Sequence, residues 1–230
     1  MLMPLPRIIF IDGLPGSGKS TAAQDIGRQC PLGRIFLESH PGHPLLVGVP
    51  DETGAAFPDI HVVHSAASFA AAALEKLSAF LASADVGVPY VFESHPFQST
   101  VRVLMQLDAP EPVLMRFWSE FQDRLKSADV RLLYFRENDP RHALTDIMRV
   151  RGTAWENYVV EAVNHYPWTK ARGLSGIEGV LKLIDYYSTL MDRLLALWRF
   201  DVLMLPARPH SYQQRTEALI RWFATPTPKL

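Results

Sequence analysis

The 230-residue sequence holds one cysteine, Cys30. An internal disulfide framework is excluded, and the expected setting is a small buried residue near a helix end in a reducing cytoplasm. Charge of one sign is also missing: 23 Lys and Arg stand against 24 Asp and Glu, a formal net charge of -1. That balance gives no broad electrostatic reason to bind nucleic acid or an anionic membrane, so ligands must be recognised by local sites. Long apolar runs are scarce. The opening MLMPLPRIIFIDG has one Arg and a short run cut by Asp12, neither a signal peptide nor a span. The stretch from Ser65 to Ala84 comes closest to a span, but Glu75 and Lys76 interrupt it. No N-K-x-D guanine reader occurs, which counts against a GTPase switch. No apolar strand ends in Asp-Glu, which counts against a motor-type ATPase.

An apolar fraction of 48% with 20% charged residues is ordinary for a globular chain, and the length suits one α/β domain over residues 1–230. Short apolar runs alternate with longer helical patterns, the mark of a parallel sheet covered on both faces. Five strands are expected at Arg7–Asp12, Arg34–Glu38, Val86–Glu93, Val130–Phe135 and Phe200–Leu205. Helices are expected at Lys19–Cys30, Ser65–Ala84, Ser99–Gln106, Glu111–Lys126, Arg141–Arg149, Trp155–His165, Ile177–Trp198 and Ser211–Ala224. His40 to His61, rich in Pro and Gly, reads as a long loop, and Ala171–Ser175 as a second.

The specific signal is Gly13-Leu14-Pro15-Gly16-Ser17-Gly18-Lys19-Ser20, which satisfies G-x-x-x-x-G-K-[ST] without deviation. It follows the apolar run IIFID and opens a helical pattern, the strand–loop–helix setting of a phosphate cradle. Such a loop turns backbone N–H groups onto phosphate oxygens, and side chains at Gly13, Gly16 or Gly18 would obstruct its path or the ligand. Lys19 is expected to reach the β and γ phosphates, Ser20 to bind Mg2+, and Thr21 to meet an α-phosphate oxygen. Asp12, just before the loop, is a candidate for ordering the Mg2+ shell. The expected ligands are therefore ATP and Mg2+.

Glu38 and Glu93 close the second and third strands, at the edge of an open α/β sheet where ligands bind. One could take the proton of an acceptor hydroxyl while the other holds Mg2+ through water. His40, His43 and His95 fall near the same edge, but H-x-x-H here lacks a Cys or acidic partner at zinc spacing, so a substrate hydrogen bond or a surface role is expected. Phe97, Phe117, Trp118 and Phe121 are candidates either for an acceptor pocket or, at helical spacing, for the core.

The motif GLPGSGKST, the carboxylates Glu38 and Glu93 at strand ends, Asp139-Pro140, and Arg149-Val150-Arg151-Gly152 leading into Trp155-Glu156 together resemble the nucleoside and nucleotide kinases. The likeness is greatest to the thymidylate kinase and deoxynucleoside kinase branch. It implies a three-layer fold with strand order 2-3-1-4-5 and a helical lid at 139–175. Arg149 and Arg151, and less directly Arg141, would stabilise the transferring phosphoryl group. In deoxynucleoside kinases the residue resembling Glu38 is the base, and the one resembling Glu93 begins a Glu-Arg-Ser motif; here Ser94 follows, and Arg102 is the candidate substitute. The resemblance implies transfer of the γ-phosphate of ATP to a hydroxyl of a small molecule; a homodimer is compatible with the sequence. An ATPase or nucleotide sensor acting on a protein partner is the alternative.

Overall fold

The computed structural model describes residues 7–29, 33–38, 40, 42–47, 65–207, 217–219 and 221–222. Five parallel strands, β1 (Ile8–Gly13), β2 (Arg34–Phe36), β3 (Tyr90–Glu93), β4 (Val130–Arg136) and β5 (Asp201–Pro206), form one sheet in the order β2-β3-β1-β4-β5. The expected order 2-3-1-4-5 is the one observed. The central strand β1 is buried along its whole length, as a strand covered on both faces must be. Its side chains alternate between two cores. Ile8 and Phe10 join the larger, with α2 (Ala66–Ser83), α4 (Glu111–Leu125) and α8 (Gly176–Leu195). Ile9 and Ile11 join the smaller, with Ala22, Ala23 and Ile26 of α1 (Lys19–Gln29) and with Leu219 and Trp222.

The strand ends set the site. Ile11 lies level with Glu93, and Gly13 with Phe135, so the loop leaving β1 emerges beside the carboxylate ending β3. β2 stops at Phe36, two residues before its expected end, because side chains take over its hydrogen bonds: the Leu37 N–H donates to His40 Nδ1 (3.4 Å) and the Glu38 N–H to Glu93 Oε2 (2.9 Å). β3 begins at Tyr90 rather than Val86. Gly87 there adopts φ +86°, a left-handed turn that a strand does not contain.

The helix expected at Ser99–Gln106 starts earlier, as a π-helical turn over Phe97–Val101 that continues into α3 (Arg102–Gln106). Its first two N–H groups, Phe97 and Gln98, are satisfied by the Asp12 carboxylate (2.7 and 3.2 Å). α5 (Pro140–Arg151) is capped by Asp139, with Pro140 at its first position. Gly152, at φ +82°, separates it from α6 (Thr153–His165), which is followed by the short α7 (Pro167–Lys170) and the turn at 171–175.

By length and composition α2 is long and apolar enough to cross a membrane, despite Glu75 and Lys76. In this fold its Phe69, Leu74, Leu77 and Phe80 are buried in the larger core. Cys30, most of the loop from His40 to His61 and most of the expected helix Ser211–Ala224 lie outside the described residues.

Candidate active site

Three glycines of the loop between β1 and α1 take positive φ: Gly13 (+146°), Gly16 (+81°) and Gly18 (+96°). Gly13 admits no side chain, since a Cβ there would lie 2.7 Å from the Phe135 carbonyl oxygen of β4. α1 then begins at Lys19 with no acidic residue in its first turn, so the positive end of its dipole faces the loop undiminished. The Lys19 ammonium is buried and donates to the carbonyls of Gly13 and Leu14 (2.9 Å each). Burial pulls its pKa down, while Asp12, Glu93 and Glu38 pull it back up.

Beside this loop opens a cleft of about 420 Å3, lined by Pro15, Gly16, Gly18, Lys19, Ser20 and Thr21 on one wall. Glu38 just after β2, Glu93 at the end of β3, Gln98 of the π turn and Arg151 at the end of α5 also line it. The carboxylates are linked. The Ser20 hydroxyl donates to Glu93 Oε1 (3.0 Å), and Glu93 Oε2 accepts the Glu38 N–H, so both Glu93 oxygens are engaged. Glu38 Oε2 accepts from Gln98 Nε2 (2.6 Å), whereas buried Glu38 Oε1 has no hydrogen bond and lies 3.8 Å from the Arg102 guanidinium. Burial raises the Glu38 pKa, opposed by Arg102 and Lys19.

Most of the sequence candidates thus meet here: Lys19, Ser20, Thr21, Glu38, Glu93 and Arg151 line one cleft. Arg151 also lies over the Trp155 ring, 4.8 Å from its centroid. Arg149 is exposed and lines no part of this cleft, and Arg141 is drawn away, its Nε donating to both carboxylate oxygens of Asp185 (3.0 and 2.9 Å). Ser17 lies on a second cleft, of about 540 Å3, across the loop, with Ile147, Val150, Asp146 and Ala207. Asp12 is fully buried and points sideways. Its Oδ1 accepts from the Gly13 N–H (2.7 Å) and its Oδ2 from the π turn, and burial lifts its pKa to about 7 against the pull of Lys19.

His40 is exposed, while His43 and His95 are buried and stack on each other with ring centroids 5.0 Å apart. Burial pushes the pKa of both downwards, that of His43 to about 4, so both rings are neutral packing groups near pH 7. Phe97, Phe117, Trp118 and Phe121 are all core residues, packed ring against ring. The aromatic wall stands elsewhere. A third, largely apolar cavity of about 90 Å3 adjoins the cleft through Pro15, Gln98 and Trp155, and is lined also by Tyr158, Tyr166 and Tyr187.

Sequence reasoning missed Gln98 and Tyr187. Nothing local marks Gln98, whose place follows from the Asp12 cap on its N–H. Tyr187 stands in the apolar repeat of α8, where the same spacing serves core and cavity alike.

No known protein family model matches the chain, and no curated protein matches it. Solved structures do. The YorR protein from Bacillus subtilis, in complex with phosphorylated GDP, aligns with a TM-score of 0.53 at 14% identity over 94% of each chain. Deoxyadenosine kinase from M. mycoides with bound dCTP aligns with a TM-score of 0.53 at 16% identity, over 95% of this chain and 100% of that one. At such identities the likeness concerns the fold. The chain has the P-loop nucleoside and nucleotide kinase fold.

Proposed function

We propose that this protein is an ATP- and Mg2+-dependent phosphotransferase that moves a γ-phosphate to a hydroxyl of a small molecule. The observation that carries the reading is the meeting of the phosphate cradle, two linked carboxylates and Arg151 around one cleft at the C-terminal edge of β1 and β3. A cradle alone needs only the loop. A transferase also needs a base and a cation facing the phosphate end, and both line this cleft.

The donor set fits Mg2+. Ser20 Oγ and the Glu93 carboxylate are hard oxygen ligands 3.0 Å apart, and a Mg2+ site commonly adds only one or two protein groups to phosphate and water. When bound there, the ion would neutralise charge on the phosphate oxygens and help align them. Lys19, Arg151 and the N-terminus of α1 supply the fixed positive charge, which is most of what phosphoryl transfer asks of a protein.

Between the two carboxylates, the geometry favours Glu38 as base. Both Glu93 oxygens accept hydrogen bonds, whereas Glu38 Oε1 has the Arg102 guanidinium at 3.8 Å, and burial raises the Glu38 pKa against the pull of Arg102, Lys19 and Ser94, which makes it the better proton acceptor. The acceptor hydroxyl oxygen attacks the γ-phosphorus, its proton passes to Glu38, and the bond to the β-phosphate bridging oxygen breaks to release ADP. The test compares Glu38→Gln with Glu93→Gln. Glu38→Gln is expected to slow acceptor-dependent ADP release while nucleotide affinity holds, and Glu93→Gln to raise the Mg2+ concentration required. Equal loss of nucleotide binding in both would remove the base assignment.

A further inference from the structure

Of the three arginines on α5, Arg151 alone lines the cleft. It closes its helix, its side chain is exposed, and among the described residues it forms no ion pair of the kind that ties Arg141 to Asp185. A long side chain in that setting samples many rotamers, and ordering it costs entropy unless something already holds it. The holder here is a ring. The Arg151 guanidinium lies over Trp155, 4.8 Å from the ring centroid, within the range where a cation is attracted to an aromatic face. Trp155 is half-buried and packs against the larger core, so the ring is a firm platform, and it lines the same cleft.

The two residues do not meet along one continuous helix. Gly152 breaks the chain between them at φ +82° and ψ 176°, a conformation open essentially to glycine alone. A Cβ at Gly152 would have nothing within 4 Å, so the backbone conformation and not lack of space is what calls for glycine there. The Trp155 N–H donates to the Gly152 carbonyl (3.1 Å), which ties the first turn of α6 to the break. The last residue of α5 and the ring of α6 are thereby set face to face at the cleft wall.

Building on the phosphotransferase reading, we propose that Trp155 is a positioning residue whose ring, set by the break at Gly152, holds the Arg151 guanidinium in the cleft beside the phosphate loop. Trp155 acts through Arg151: the charge meets the transferring phosphoryl group already ordered. Its contribution should therefore appear with a phosphoryl group in transit and vanish when Arg151 is gone.

The test measures, by calorimetry on the full chain, the affinity for Mg2+ and ADP with aluminium fluoride, a mimic of the phosphoryl group in transit, relative to Mg2+ and ADP alone. The natural protein is expected to prefer the fluoride complex. Trp155→Leu keeps an apolar contact with the core but removes the aromatic face, and is expected to lower that preference by about 5- to 30-fold. Trp155→Phe keeps a face, and is expected to lower it by no more than about 2-fold. With Arg151→Ala already in place, Trp155→Leu is expected to lower it no further. Equal preferences in the Leu and Phe variants, or a Leu effect of the same size with and without Arg151, would overturn this inference and leave the phosphotransferase reading standing. A natural protein that does not prefer the fluoride complex would overturn both.

Discussion

The cleft beside the phosphate loop and the cavity beyond Gln98 share a boundary yet are built in opposite ways. The cleft is polar, and its decisive residues come from one contiguous stretch, Gly13–Thr21, plus the ends of two neighbouring strands. The cavity is mostly apolar and drawn chiefly from α3, α5, α6 and α8, whose lining residues run from Arg102 to Tyr187, more than eighty positions apart. The first gathers Lys19, Glu38, Glu93 and Arg151, whereas the second presents mostly apolar side chains, with Arg102 its one charged lining residue. If the cleft carries the chemistry, substitutions on the two sides should have separable effects.

The largest effect is expected from Lys19→Ala, which removes the buried ammonium between the loop carbonyls and the carboxylates. Turnover should fall by about 10³-fold or more in a single-turnover assay, whatever acceptor is used. A variant that loses activity with one acceptor only would blur the division between the two regions. Glu38→Gln comes next, with an expected loss of about 10²- to 10⁴-fold in kcat and near-normal ATP binding by calorimetry. Arg151→Ala should cost about 10²-fold in kcat, against little change for Arg149→Ala, because only Arg151 lines the cleft. Equal losses for the two arginines would show that α5 swings further over the loop than its position here.

The smallest effect concerns Asp12. Its pKa is raised by burial from 3.8 to about 7, so the folded protein holds a proton that the unfolded chain releases between those values. The folded state therefore binds more protons, and stability falls as pH rises from about 4 to about 7. Melting temperatures across that range should decline for the natural protein and decline less for Asp12→Asn. Parallel curves would show that Asp12 remains ionised, held by its three backbone N–H donors and Lys19.

What the sequence made legible divides along the same boundary. The loop could be read because its geometry is written in adjacent residues, and Glu38 and Glu93 could be read because each follows an apolar run at the sheet edge. Asp12 was legible as a neighbour of the loop but not as the cap of a helix 85 residues on, since no local pattern records which N–H groups a buried carboxylate will meet. Arg151 and Arg149 have the same local signal, and only the turn of α5 that faces the cleft distinguishes them. The aromatics show the limit most clearly. Phe117 and Phe121, four residues apart, are core, whereas Trp155 and Tyr158, three apart on α6, line a cavity together with Tyr166 just past its end. Periodicity identifies a buried face but not whether a side chain or a ligand covers it.

The most direct measurement follows the terminal phosphate itself. The protein is incubated with ATP labelled at the γ-phosphorus, Mg2+ and a panel of uncharged hydroxy compounds, beside Lys19→Ala. The account predicts label covalently attached to an acceptor in the natural protein and none in the variant. Label that appears only as inorganic phosphate, at the same rate with and without any acceptor, would contradict it.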